Sequence, residues 1–370
     1  MSRSKEIVEH LLGGAGVQIA GTNPWDIQIH NEKFYDRALS RKSLGLGEAY
    51  MEGWWDCERL DEFFYKILCA DLGDRVRGSW KLVLPVVRAF LFNLQSISRS
   101  SMVADLHYNL DNNLFMSFLD LYNQYSCAYF KETEDLKQAQ IKKMDMIIAK
   151  LRLTPSDHVL DIGFGWGGLA HYMAEKVGCR VTGVNISDEQ IKYARERVKG
   201  LPVNILKCDF RGINGRFDKI VSVGMFEHVG YKNYRKFMKV VYNSLKDDGI
   251  FLLHTIGTNC SQIKTDAWIN KYIFPNGVLP SVAQIARSVE GLLMIEDLHN
   301  LGPHYDKTLM AWNANFQESW PVLSKRYKNE FKRMWEYYLL SCAGAFRARY
   351  NQLWQIVFTK PGCPQPECRI

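Results

Sequence analysis

Val159-Leu-Asp-Ile-Gly-Phe-Gly-Trp-Gly-Gly168 is the stretch on which the fold turns. A short apolar run ends at Asp161, and four glycines follow within six positions. The run reads as a buried strand. The glycines let the backbone turn sharply into a helix and let a ligand lie against it. Working outward, strands are predicted over 157–163, 179–185, 203–208, 217–224 and 249–257, with helices between them from 168 to 177, from Ser187, and through Leu245. A helical pattern over 134–151 leads up to the first strand. Beyond 258 the pattern is mixed, with helices predicted at 308–320 and 325–345 and a last strand at 353–359. Alternating helices and β-branched strands imply an α/β fold, a parallel sheet covered on both faces.

A chain of 370 residues with 47% hydrophobic and 24% charged side chains is long and apolar enough for two folded domains, which excludes wholesale disorder. The reading divides it into a small, mainly helical N-terminal domain, 1–100, and a larger domain, 101–370. Residues 1–100 carry 13 basic and 13 acidic side chains, so the formal charge of +7 arises entirely in 101–370. Acids crowd between Glu48 and Asp74, and then Arg75, Arg77, Lys81, Arg88 and Arg99 follow with no acid among them. The same segment holds the apolar set from Trp80 to Phe92. It therefore reads either as a dock for an anionic membrane surface or as an amphipathic helix packing the two domains together. Nine scattered cysteines without a C-x-x-C pair argue against a disulfide framework or structural zinc, and no metal is expected. The polar N-terminus and the short, interrupted apolar run at 80–94 resemble neither a signal peptide nor a membrane span, so a cytoplasmic protein is expected.

Gly163, Gly165 and Gly168 satisfy G-x-G-x-x-G. A dinucleotide site wants an acid about 20 residues further on, where this chain has Asn185. Asp161 before the first glycine, and Asp209-Phe210 after the third strand, suit S-adenosylmethionine better: Asp209 can accept from the adenine amino group while Phe210 stacks on the ring. The plainer alternative is a loop that serves only a tight strand–helix turn.

Several further motifs join the glycine loop. They are Val221-Ser-Val-Gly-Met-Phe-Glu-His-Val229, Leu252-Leu-His-Thr-Ile-Gly257, Gln124-Tyr-Ser-Cys-Ala-Tyr129, Trp268-Ile-Asn-Lys-Tyr-Ile-Phe-Pro-Asn-Gly277, Cys342-Ala-Gly-Ala-Phe-Arg347 and Ser43-Leu-Gly-Leu-Gly-Glu-Ala-Tyr50. Together they closely resemble the cyclopropane-fatty-acyl-phospholipid synthases over essentially the whole chain, and the bacterial enzymes with an added N-terminal domain more than the shorter mycolic-acid relatives. The resemblance implies a Rossmann-like S-adenosylmethionine-dependent methyltransferase domain after the N-terminal domain. It assigns cofactor contacts to Tyr125, Ser126, Gly163, Gly165, Asn185, Gln190, Asp209, Phe210 and Arg211. Phe164 stands where the family usually has Cys, and Asn185 where it often has Thr. Gln190 has a rival reading, since Ser187-Asp-Glu-Gln190 fits a helix capping box.

Making a cyclopropane from a cis alkene passes through a carbocation and requires a base that removes one proton from the transferred methyl. The site must be dry and free of nucleophiles. The resemblance implies a bound bicarbonate as that base, held at Cys127, Glu227, His254, Ile256 and Tyr305. His254 and Tyr305 can donate hydrogen bonds, as can main-chain N–H groups near Cys127 and Ile256, while Glu227 can accept from the ion's hydroxyl. The plainer readings are a helix-start acid for Glu227 and a core histidine for His254. Cys342 is the cysteine the family has often been assigned as its active-site residue, against a packing role among Tyr338 and Phe346. The resemblance further implies action on unsaturated acyl chains of membrane phospholipid, with the enzyme transiently at the inner membrane face. A homodimer is expected, and no nucleic-acid partner. The rival functions are a fatty-acyl C-methyltransferase giving branched methyl or methylene chains, and a non-catalytic lipid-surface binding protein.

Overall fold

The computed structural model describes residues 3–70 and 112–369. The boundary placed at residue 100 and the basic, apolar segment 75–99 lie outside the described residues.

Seven strands form one sheet: β3 (His158–Ile162), β4 (Arg180–Asn185), β5 (Val203–Lys207), β6 (Phe217–Val223), β7 (Leu245–Thr258), β8 (Met294–Asn300) and β9 (Asn351–Thr359), in the order β5-β4-β3-β6-β7-β9-β8. The first five pair in parallel, and β9 runs antiparallel between β7 and β8. The parallel strands read as continuous apolar runs because both faces are covered: β3 buries Val159 through Ile162, and β7 buries Gly249 through Thr255. The order reverses at β3, whose neighbours β4 and β6 lie on opposite sides, and such a switch point opens a crevice at the carboxyl ends of the strands.

The predicted strands occur, with β7 longer than expected. One strand of this sheet was not predicted, nor was the two-stranded ribbon near the N-terminus. Met294-Ile-Glu-Asp-Leu-His-Asn300 forms β8 at the sheet edge, where Met294 and Ile295 are exposed, so neither a period nor an apolar run marks it. The helix Gly302–Leu323 begins six residues before the predicted 308, because Pro303 in its first turn suits a helix start.

Near the N-terminus, the helices Arg3–Gly14, Phe34–Met51 and Leu60–Cys69 accompany a two-stranded ribbon of β1 (Ile27–Ile29) and β2 (Trp55–Cys57). Phe34–Met51 and Leu60–Cys69 pack on Asn329–Arg347, and Arg3–Gly14 packs on Phe34–Met51. Arg347 bridges Asp61 Oδ2 (2.7 Å), Glu62 Oε1 (2.6 Å) and Asp306 Oδ1 (2.9 Å). Buried Glu48 takes Arg37, Arg41 and Lys271, which holds its carboxyl down at about 2 despite burial. One apolar cluster runs from Val8 through Trp55, Phe115, Trp166 and Trp335 to Leu353. The nine cysteines are free thiols, and no helix among the described residues is long and apolar enough to cross a membrane.

Candidate active site

The glycine loop leaves β3 with Gly163 at φ +83° and Gly165 at φ +60°, a region that non-glycine residues enter only with strain. A Cβ on Gly163 would lie 2.7 Å from the Met225 side chain, whereas one on Gly165 would meet nothing within 4 Å. Close packing explains the first glycine and the open cavity the second. Phe164, the departure from Cys, packs with Ile191 and Ile205 and sits where a Cβ on Gly183 would touch its ring.

One cavity at the carboxyl ends of β3–β6 is lined by all ten residues read as cofactor contacts: Tyr125, Ser126, Asp161, Gly163, Gly165, Asn185, Gln190, Asp209, Phe210 and Arg211. Asp161 is buried, and its Oδ2 has no partner among the described residues. Burial pushes it up to about 7, against the pull of Lys143. Asp209 Oδ1 accepts from the Arg211 N–H at 2.9 Å, while Phe210 packs on Phe237 with the Arg211 guanidinium 4.9 Å from its ring centre. The capping box at Ser187 is only half formed. Ser187 Oγ accepts from the Gln190 N–H, but the Gln190 amide turns instead to Asn185 Nδ2 at 2.8 Å, tying together two residues of the cavity wall.

None of the six candidate catalytic residues lines that cavity, though Cys127 and Glu227 stand next in sequence to residues that do. Cys127 follows Ser126, and Glu227 stands between Met225 and His228 in a short turn after β6. Glu227 Oε1 accepts the Ile256 N–H at 2.7 Å, so that main-chain donor is already engaged. Its Oε2 is buried without a partner. Burial pushes the carboxyl up to about 7. His254, two residues before Ile256 on β7, receives the Gln355 amide nitrogen at Nδ1 (3.3 Å). An amide nitrogen only donates, so the imidazole proton sits on Nε2, which is buried and unpartnered. Burial, with Lys143 and Lys150 nearby, holds the His254 pKa well below its ordinary value and keeps the ring neutral.

Tyr305 lies within electrostatic reach of Cys127, Tyr125, Glu227 and Cys342, and burial keeps its phenol protonated. Trp312 packs against both Tyr125 (5.2 Å) and Tyr305 (6.0 Å), and the Tyr125 hydroxyl pairs with that of Tyr338 (2.8 Å). The Cys127 thiol lies against the Ala128 and Leu301 carbonyls. Burial pushes the Cys342 thiol up to about 12, which leaves it a poor nucleophile at neutral pH.

Sequence reasoning missed Lys143. It is fully buried on the helix Leu136–Leu151, and its ammonium donates to Gln124 Oε1 (2.6 Å) and Ser126 Oγ (3.0 Å). A signal existed: Lys143 lies four residues from both Ala139 and Ile147, on the apolar stripe of the helix.

A family model described as mycolic acid cyclopropane synthetase matches residues 95–356. Over 354 residues the chain is 54% identical to the cyclopropane-fatty-acyl-phospholipid synthase of Escherichia coli, covering 96% of this chain and 93% of that one. It is 32% identical over 359 residues to the tuberculostearic acid methyltransferase UfaA1 of Mycobacterium tuberculosis, covering 91% and 83%. The crystal structure of mycolic acid cyclopropane synthase CmaA1 complexed with SAH and CTAB aligns with a TM-score of 0.65 and 30% identity, over 70% of this chain and 98% of that one. With a methyltransferase sheet, a glycine-floored cavity at its switch point and identity of this extent, the chain belongs to the mycolic acid cyclopropane synthetase family of S-adenosylmethionine-dependent methyltransferases.

Proposed function

We propose that this chain transfers a methylene group from S-adenosylmethionine to the cis double bond of an unsaturated acyl chain in membrane phospholipid, closing a cyclopropane ring. The observation that carries the reading is the pair Glu227 Oε2 and His254 Nε2. They are a buried acceptor and a buried donor, both without partners, next to a cavity that suits the cofactor.

The residues fit both small molecules. Gly165 leaves open space for a ligand against the backbone, and Asp161 and Asp209 supply acceptors at the cavity wall. When bound, S-adenosylmethionine supplies an electrophilic methyl group and bicarbonate supplies a base for the proton that leaves it. Glu227 Oε2 would accept from the ion's hydroxyl, and neutral His254 and the protonated Tyr305 would hold it as donors. The main chain at Ile256 holds the carboxylate in place through Oε1. Tyr125, Trp312 and Tyr305 pack together, and such rings would steady positive charge on the acyl chain without reacting with it. No step requires a thiolate, which agrees with the protonated state of Cys342.

The N-terminal unit, 1–100, brings this site to the inner face of the membrane, with the chain acting from the cytoplasm as a homodimer. The test is to incubate the protein with S-adenosylmethionine and vesicles of cis-unsaturated phospholipid. The expected product gains the mass of one CH2 per modified chain and shows ring-methylene protons by NMR. A branched product would instead favour the fatty-acyl C-methyltransferase reading, to which the likeness to UfaA1 gives weight.

A further inference from the structure

The helix Leu136–Leu151 turns polar side chains onto Gln124 and Ser126, which line the cofactor cavity and lead to Cys127. Gln140 Nε2 donates to the carbonyls of Gln124 (3.3 Å) and Ser126 (2.9 Å). One turn later the Lys143 ammonium donates to Gln124 Oε1 and Ser126 Oγ. Four hydrogen bonds from two fully buried side chains thus hold Gln124 and Ser126, the residues on either side of Tyr125. Tyr125 and Ser126 line the cavity, and Cys127 follows. A buried ammonium is an expensive way to hold a loop, since a neutral donor would do the same at lower desolvation cost. The charge therefore calls for a reason of its own.

The groups around Lys143 supply one. Asp120 and Cys127 in the preceding segment, Asp161 in β3 and His254 in β7 interact with its charge. Asp161 is the buried acid of the cavity wall, with one oxygen unpartnered, and His254 is the neutral donor at the reaction centre.

We propose that Lys143 is a positioning residue whose buried positive charge holds the Tyr125–Ser126 wall, steadies Asp161 as an anion and keeps His254 neutral, so that turnover falls when Lys143 loses its proton. The inference rests on reading 124–127 as the wall between the cofactor and reaction sites. Burial brings Lys143 down to about 8, against the pull of Asp120, Cys127 and Asp161. The charged form therefore dominates below pH 8 and fades above it. In the unfolded chain the lysine titrates at its ordinary 10.5, so the folded state binds fewer protons between these values. Stability at this site rises with pH across that window while activity falls.

The test compares the parent with Lys143→Met, which keeps length and burial but has no charge, and Lys143→Arg, which cannot lose its proton. Calorimetry of S-adenosylhomocysteine binding by the parent checks the underlying reading; a parent that does not bind it would sink that reading itself. Given parental binding, Lys143→Met is expected to weaken it by about ten- to a hundredfold, the usual worth of a charge-assisted hydrogen bond. On phospholipid vesicles the parent rate should fall through an alkaline limb near pH 8, and Lys143→Met should show reduced turnover without that limb. Lys143→Arg should keep turnover while abolishing the limb near pH 8; should its bulk prevent folding, the methionine variant decides alone. A folded Lys143→Met protein with parental cofactor affinity and an unchanged limb near pH 8 would overturn the proposal.

Discussion

Replacing Glu227 with Gln should make the protein more stable and nearly inactive, and the two effects should part company with pH. Burial raises the carboxyl from its ordinary 4.5 to about 7. Because the folded value lies above the unfolded one, ionisation costs the native state nothing below pH 4.5, progressively more up to 7, and a constant amount beyond. That plateau is about 3 kcal/mol on the scale of roughly 1.4 kcal/mol per pKa unit. Glutamine removes the cost and keeps Oε1 as acceptor for the Ile256 N–H at 2.7 Å in the parent. It places an N–H group where Oε2 stood, and an unpaired buried donor gives back about 1–2 kcal/mol. The net expectation is a gain of about 1–2 kcal/mol at pH 8 that turns into a loss of about 1–2 kcal/mol at pH 4.5. Turnover should drop by about 10² to 10⁴, the usual span for an acid–base participant, with cofactor affinity little changed. Urea unfolding at the two pH values, with vesicle assays of product, measures both. A Gln variant as active as the parent, or a stability difference that ignores pH, would refute the assignment of Glu227 as a buried carboxylate serving the reaction.

Three further expectations can be checked independently. Gly165→Val places a β-branched side chain in the cavity at φ +60°, so it should abolish S-adenosylhomocysteine binding in a protein that circular dichroism shows is folded; unchanged affinity by calorimetry would remove this loop from the site. Stripping bicarbonate from the buffer should slow the parent as Glu227→Ala does, and full activity in rigorously bicarbonate-free buffer would make a protein side chain the base. Reversing Arg75, Arg77 and Lys81 to Glu should weaken sedimentation with anionic vesicles at low salt, each surface-bound base being worth about 1 kcal/mol. The difference should fade at 1 M salt, where the Debye length is about 3 Å, and normal pelleting of a folded variant at low salt would assign 75–99 to packing.

Local chemistry marked most of the sheet in the sequence. Apolar β-branched runs broken by glycines leave few conformations open, and the alternation of such runs with helices selects a parallel sheet and so a crevice at its switch point. The glycine loop, Asp161 and Asp209 were legible for the same reason, since each stands at a strand end that its own neighbours define. Edge strand β8 escaped because Glu296, Asp297 and His299 break any period, and only pairing with β9 makes it a strand. Tertiary structure alone decided the rest. The Tyr125–Tyr338 hydroxyl pair joins residues 213 positions apart, and the Gln190 amide abandons its local cap for Asn185. The orphaned oxygen of Glu227, the neutral ring of His254 and the buried charge of Lys143 exist only because distant segments close over them. A residue's type sets which protons it can hold. The water that packing removes sets which ones it keeps, and desolvation depends on neighbours that no local stretch of chain specifies.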